Sequence, residues 1–198
     1  MVTARLRDFS WERMIAAVDA VRERARRIAA ALDRAGIKYA LVGGNAVAAW
    51  VARVEVEAVR NTKDVDVLVR REDFERVVQA AQAAGFVHRN VAGVDLFLDG
   101  PEGSVRSAVH LVFAREKVRA DYVLPAPDVT ESETGPEFTV ATLDALVRMK
   151  LTSFRLRDKV HLLDLLDVGL IDPSWCDHFP TELGARLREL IDSRDREL

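Results

Sequence analysis

Leu41-Val42-Gly43-Gly44-Asn45-Ala46-Val47, followed by Arg60-Asn61-Thr62-Lys63-Asp64-Val65-Asp66-Val67-Leu68-Val69, is the stretch on which the fold turns. Tyr39-Ala40-Leu41-Val42 is a short apolar run ended by two glycines, and residues 45–50 have the small-residue composition of a helix packed closely on a sheet. Strand, tight turn and helix are therefore expected in that order. A glycine pair at such a turn lets backbone amides at the positive end of the helix approach a phosphate, although a glycine pair alone marks no more than a turn. In the second segment the residues alternate as in a strand, with Asp64, Asp66 and Leu68 on one face and Val65, Val67 and Val69 on the buried one.

Two carboxylates one residue apart on a strand have Cα atoms roughly 6.5 Å apart, so they can ligate one divalent ion or two neighbouring ions. Like charges held together without a cation or water are unfavourable. An isolated Asp-x-Asp is ordinarily the wetted face of an edge strand. Here Arg60-Asn61-Thr62-Lys63 leads into the pair, and basic and hydroxyl groups beside an acidic strand suit a polyphosphate with its metal.

Working outward, Trp11, Met14, Ile15, Val18, Val21, Ala25, Ile28, Ala29 and Leu32 recur at helical spacing, predicting one amphipathic helix over residues 11–35 with Ser10 as N-cap and Gly36 as stop. Trp11 and Trp50 fall on apolar stripes and are expected in the core. Residues 53–62 carry no period and read as an irregular connection. Residues 72–84 read as a helix with Phe74, Val77, Val78 and Ala81 inward, and Val94–Leu98 and Val105–Phe113 as strands. Residues 121–137, holding Pro125, Pro127, Gly135 and Pro136, read as a linker. Beyond it, residues 142–154, 158–168 and 181–192 have helical spacing. The expected architecture is an α/β core with its N-terminal helix over residues 1–125, and a helical lobe over residues 138–198.

At 198 residues the chain suits one compact unit with extensions. No apolar run approaches the roughly 20 residues that cross a bilayer, and the N-terminus leads into a charged helical pattern without an apolar signal segment, so a cytoplasmic protein with no membrane partner is expected. Cys176 is the only cysteine, which excludes an intrachain disulfide and a thiolate zinc site. With 29 basic against 32 acidic residues there is no overall field to draw in nucleic acid, and contact with RNA requires a local patch.

The two signatures together resemble the Gly-Gly and Asp-x-Asp motifs of the nucleotidyltransferase superfamily. They are most similar to its bacterial branch of AbiEii-type toxins and small relatives, which read Gly-Gly, then Arg-x-Thr-x-Asp-hydrophobic-Asp. Leu146-Val147-Arg148-Met149-Lys150-Leu151, with Arg155-Leu156-Arg157-Asp158-Lys159 and Asp164-Leu165, resembles the C-terminal helices of the same branch. The resemblance covers residues 38–170. It implies a mixed sheet flanked by helices, and transfer of a nucleotidyl group from an NTP, with Mg2+ or Mn2+, to a hydroxyl on protein, RNA or a small molecule. By implication Asp64 and Asp66 are catalytic and hold metal, while Gly43, Gly44, Asn45, Thr62, Lys63 and Lys150 bind the nucleotide. A toxin or antitoxin role, a homo-oligomer or a cognate partner protein follows from the same branch.

The chain departs from the pattern in two respects. The interval from Gly44 to Asp64 is longer than usual, which suggests an insertion around residues 53–59. The superfamily's third carboxylate lies on a strand beside the Asp-x-Asp strand, and the segment expected there, Ala108–Phe113, offers His110 instead. A histidine can ligate a metal but adds no negative charge. Asp95, on the preceding strand, is the other candidate, and the residues leave the choice open. His88, His161 and His178 read as ordinary structural histidines.

Overall fold

The computed structural model describes residue 8 and residues 10–197. The reading of the N-terminal residues for a signal segment falls outside these. Helix α1 runs Trp11–Arg34; the Ser10 side chain accepts from the Arg13 amide, as its N-cap position predicts. Strand β1, Tyr39–Val42, is buried at every position, and α2, Gly43–Val51, follows without an intervening loop. Strand β2 is Val65–Val69, and α3, Phe74–Ala83, is preceded by a short 3-10 turn. Strands β3 (Val87–Val91), β4 (Val94–Leu98) and β5 (Val109–Phe113) complete the central sheet.

Residues 121–137, read as a linker, instead carry β6, Ser132–Thr134, which pairs antiparallel with β7, Thr139–Ala141. The prolines fall outside these three-residue strands, so the ladder survives them. The strand order is β3-β4-β5-β2-β1-β7-β6. Strand β2 runs antiparallel to β1 and parallel to β5, so the sheet is mixed and its central strands are flanked on both sides. Helices α4 (Leu143–Ser153), α5 (Leu156–Asp167) and α6 (Thr181–Glu197) follow, close to the expected spans.

Each sheet face is covered by a different group of helices. Ile28 and Leu32 of α1 and Val77 and Ala81 of α3 pack on Val65, Val67, Val69, Phe97, Val109 and Leu111. On the far side, α2 brings Val47 and Trp50 against Leu146, Leu151, Leu162, Leu165 and Leu183 of the C-terminal helices. Each fully buried leucine contributes about 2–3 kcal/mol of transfer free energy, so the helical lobe is bound to the core through α2 by a substantial apolar contact. Leu68, expected on the polar face of β2 with the two aspartates, is fully buried against Ala40, Val42, Ala126 and Ala145. The polar face of β2 is thus confined to its first residues, and β2 is no edge strand.

The two tryptophans separate. Trp50 is 7% exposed and its indole N–H donates to the Ala141 carbonyl at 3.0 Å, as a core position requires. Trp11 is 77% exposed, contrary to expectation, and Met14 and Ile15 beside it are exposed as well. Burial of the α1 stripe starts at Val21, because among the described residues no element covers the first turns of the helix.

Candidate active site

The turn between β1 and α2 is built on a left-handed residue. Gly43 has φ of +69°, and a Cβ there would overlap the Asp66 carboxylate, so both the backbone and the space above it require glycine. The register explains the closeness, since Val42 pairs with Asp66 across the β1–β2 ladder. Gly44 is buried: a Cβ on it would lie 3.0 Å from Thr62 Oγ1 and 3.4 Å from His161 Cε1. The second glycine is therefore a packing position between the loop before β2 and helix α5, and the first is the one beneath the carboxylate. Asn45 donates from Nδ2 to the Asp64 carbonyl at 2.7 Å, tying the start of α2 to the start of β2.

Asp66 pairs with His110 across the parallel β2–β5 ladder, and their side chains share a face, with Nδ1 3.6 Å from Oδ1. The Asp66 carboxylate raises the His110 pKa above the ordinary histidine value, burial opposes that, and Asp64 adds to the rise. Asp64 is therefore close enough for its charge to be felt at the imidazole. Asp95 is not part of this group. His110 pairs with Leu96 across β4–β5, which turns the neighbouring Asp95 to the opposite face of the sheet. There its carboxylate accepts from Asn90 Nδ2 at 3.0 Å and lies 2.9 Å from His88 Nε2. Of the two residues weighed for the third position, His110 shares the face of Asp66, whereas alternation along β4 carries Asp95 to the face covered by α1 and α3.

The helical lobe brings further groups to the same place. Lys150, expected to face a phosphate, is 6% exposed and pairs with Asp158 at 3.1 Å. Asp158 also accepts from Ser153 Oγ at 2.8 Å and from Arg155 Nε at 2.8 Å. Burial pushes the Asp158 pKa up, but the Arg155 hydrogen bond, the Lys150 charge and Ser153 outweigh it and leave it below the usual carboxylate value. Arg155 has its pKa raised first by Asp158, with Asp66 contributing, so the guanidinium lies within electrostatic reach of the acidic strand. Burial, and then the Lys150 charge, push the His161 pKa down to about 4, so its imidazole is neutral near pH 7. Lys63 is exposed, and Arg60 donates from Nε to Asp164 of α5 at 2.6 Å.

His161, expected to be an ordinary structural histidine, lies beside the Gly44 turn. The available signal was His161 three residues after Asp158, a spacing that makes the two neighbours on α5.

A family model described as "Uncharacterised nucleotidyltransferase" matches residues 7–130, more than half of the chain. The chain belongs to that family. Among solved structures, a nucleotidyltransferase-like antigenic protein from Paracoccidioides brasiliensis superposes with a TM-score of 0.61 at 18% identity, covering 91% of each chain. The antibiotic-resistance factor ANT(2'')-Ia gives 0.54 at 15% identity, covering 91% of this chain and 95% of its own. JHP933 from Helicobacter pylori gives 0.53 at 16% identity, covering 96% of this chain and 78% of its own. At these identities the likeness establishes the nucleotidyltransferase-like fold, over core and C-terminal helices alike. No curated protein matches the chain.

Nucleotidyltransferases as a family work on an NTP with a divalent ion, and the residues around Asp66 fit such a group in part. Among the described residues, no three His, Cys, Asp or Glu side chains are gathered into a ready-made metal site. Mg2+ and its neighbours, however, are commonly held by one or two carboxylates, with phosphate oxygens and water completing the shell. Asp64 and Asp66, both half-buried, are the residues present that such an ion would use. The His161 Nδ1 is buried without a hydrogen-bond partner among the described residues, beside the Gly44 turn. A polar atom so placed is what a bound group or water satisfies.

Proposed function

We propose that this nucleotidyltransferase-family protein transfers a nucleotidyl group from an NTP to an acceptor hydroxyl at the Gly43–Asp66 site. The observation that carries the reading is the Asp66 carboxylate lying directly over the left-handed Gly43 at the start of α2, on the face it shares with His110. That arrangement leaves no room for a side chain at Gly43. It joins a phosphate-approachable backbone to an anionic strand.

In this reading Asp64 and Asp66 hold the ion, and Lys63 meets the triphosphate from solvent. The Gly43 amide and the positive end of α2 face phosphate oxygens, while Asn45 and Thr62 fix the walls. A bound divalent ion supplies charge neutralisation on the triphosphate and a lowered pKa for the attacking hydroxyl. The acceptor oxygen bonds to the α-phosphorus, the bond to the bridging oxygen breaks, and pyrophosphate leaves. The hydroxyl proton passes to a carboxylate oxygen of the aspartate pair. In this reading neutral His161 of helix α5 bounds the site beside Gly44. Within the superfamily, the Arg60-x-Thr62-x-Asp64-x-Asp66 pattern supports the AbiEii-like branch.

The test is incubation of the protein with each α-labelled NTP and Mg2+ or Mn2+, followed by detection of label on the protein itself, on added RNA or on small acceptors. Transfer is expected, and its loss is expected in Asp64→Ala/Asp66→Ala, with circular dichroism and thermal midpoint unchanged because both side chains are partly solvated. Label transfer that survives the double substitution sinks the assignment. A second reading, a non-catalytic nucleotide-binding or partner-binding protein, is favoured by the position of Asp95, which leaves two acids at the site. Nucleotide binding without transfer to any acceptor distinguishes it. The exposed Trp11, Met14 and Ile15 of α1 are where a toxin–antitoxin partner or a second copy would be sought in that case.

A further inference from the structure

Helix α1 carries one apolar stripe along its length, and the stripe meets two environments. From Val21 through Ala25, Ile28 and Leu32 it is buried on the sheet. Its first part, Trp11, Met14, Ile15 and half-buried Val18, continues on the same side of the helix, and the leading three side chains are 77%, 60% and 59% exposed. Residues 11–20 make up roughly 15 Å of helix at the usual rise per residue. Trp11, Met14 and Ile15 together expose roughly 400 Å² of apolar surface, on the basis that one aromatic side chain removes about 150–250 Å² from water when buried. A contiguous apolar patch of that size commonly marks an interaction site.

The charges beside the stripe define what covers it. Glu12, Asp19, Arg22 and Arg26 follow one another at steps of seven, three and four residues, so they form one flank of α1, and all four are exposed. The acids of this flank come first and the bases last. A second α1 laid parallel sets like charges against each other, whereas an antiparallel copy sets the acidic end of each flank against the basic end of the other. With the two-fold axis near Ala17, Glu12 of each copy is level with Arg22 of the other. Arg26 is already held by Glu137 at 3.0 Å, which leaves Arg22 as the base that answers the second copy's Glu12. We propose that residues 11–22 of α1 form a self-association surface on which two copies of this chain pair antiparallel. A two-fold interface uses the same patch twice, so Trp11, Met14 and Ile15 of both copies bury about 800 Å² of apolar surface. The flanking side chains bring the total towards the roughly 1,200 Å² at which stable interfaces begin, so the dimer is a weak one, with a dissociation constant on the order of 10 µM. The inference does not rest on nucleotidyl transfer, because none of these residues belongs to the Gly43–Asp66 site.

Sedimentation equilibrium on the full chain, at low salt and from about 1 µM to about 300 µM, is expected to show a monomer–dimer equilibrium. Ile15→Glu places a charge in the seam and is expected to weaken the dimer about tenfold or more. Glu12→Arg and Arg22→Glu are each expected to weaken it about threefold or more, because each sets like charges level with one another. The double variant Glu12→Arg/Arg22→Glu restores opposite charges and is expected to regain the wild-type affinity, and an equimolar mixture of the two single variants to form the mixed dimer. Unchanged thermal midpoints, expected because these side chains are exposed, separate association from folding. A monomer throughout the range overturns the proposal and leaves the stripe to a different protein or to another part of the same chain. A dimer indifferent to Ile15→Glu also overturns it. A dimer weakened by Ile15→Glu and unmoved by either charge reversal refutes the antiparallel pairing.

Discussion

Gly43 illustrates how much a single residue can specify. Its positive φ and the Asp66 carboxylate above it leave no room for a side chain, and the two constraints come from different elements. An alanine there incurs the left-handed penalty of roughly 1–2 kcal/mol and also pushes Asp66 out of position. Gly43→Ala is therefore expected to keep the fold, to lower the thermal midpoint modestly, and to remove metal-dependent NTP binding by calorimetry. Unchanged binding in a folded variant refutes the view that Asp66 must lie over the turn. The same residue scale shows what alternation alone could and could not convey. Asp66 and His110 were legible as polar positions on strands, but which strand lay beside which, and in what register, decided that His110 shares the face of Asp66 while Asp95 lies on the other.

At the scale of elements, the α4–α5 corner is held by a buried ion pair. Lys150 and Asp158 are nearly inaccessible, and the carboxylate is further satisfied by Ser153 and Arg155. Removing the cation leaves a buried charge only partly compensated, so Lys150→Ala is expected to destabilise the protein by about 3 kcal/mol, near the lower end for such pairs because Arg155 remains. Chemical denaturation measures this. A loss below about 0.5 kcal/mol assigns the pair to the weak surface class instead. Helix spans were readable from periodicity because the apolar stripes of α3, α4, α5 and α6 face a core. The outer end of α1 has the same stripe with no element covering it among the described residues, and periodicity cannot tell the two cases apart. Strands β3, β6 and β7 escaped notice for a related reason: they are exposed or three residues long, and too little of each is buried to impose alternation.

The whole molecule couples its stability to pH through groups at the junction of core and lobe. His161 has its pKa lowered from 6.5 to about 4, and Asp158 lies below its ordinary 3.8. Both shifts are downward, so each contribution is complete above the unfolded-state value and is lost as the pH falls. For His161 the loss runs from about 6.5 towards 4, and for Asp158 it lies below 3.8. His110 works in the opposite sense, since its raised pKa favours the folded state as it takes up a proton. Urea midpoints of wild type and His161→Gln, compared at about pH 7 and about pH 4.5, isolate the first contribution. Wild type is expected to lose more stability over that interval than the variant. Equal losses in the two proteins show that the His161 imidazole is solvated.

By itself the chain's order of residues determined an α/β core with helices before and after it, a glycine turn, and an acidic strand of the nucleotidyltransferase type, because each of these is written in local spacing. Only the tertiary structure decided that Leu68 is buried, that Lys150 is committed to Asp158, that residues 132–134 extend the sheet, and that His161 of the lobe meets Gly44 of the core. Those outcomes depend on which surfaces come together across long separations in the chain. Local periodicity records how an element alternates between inside and outside, and carries no record of its neighbour.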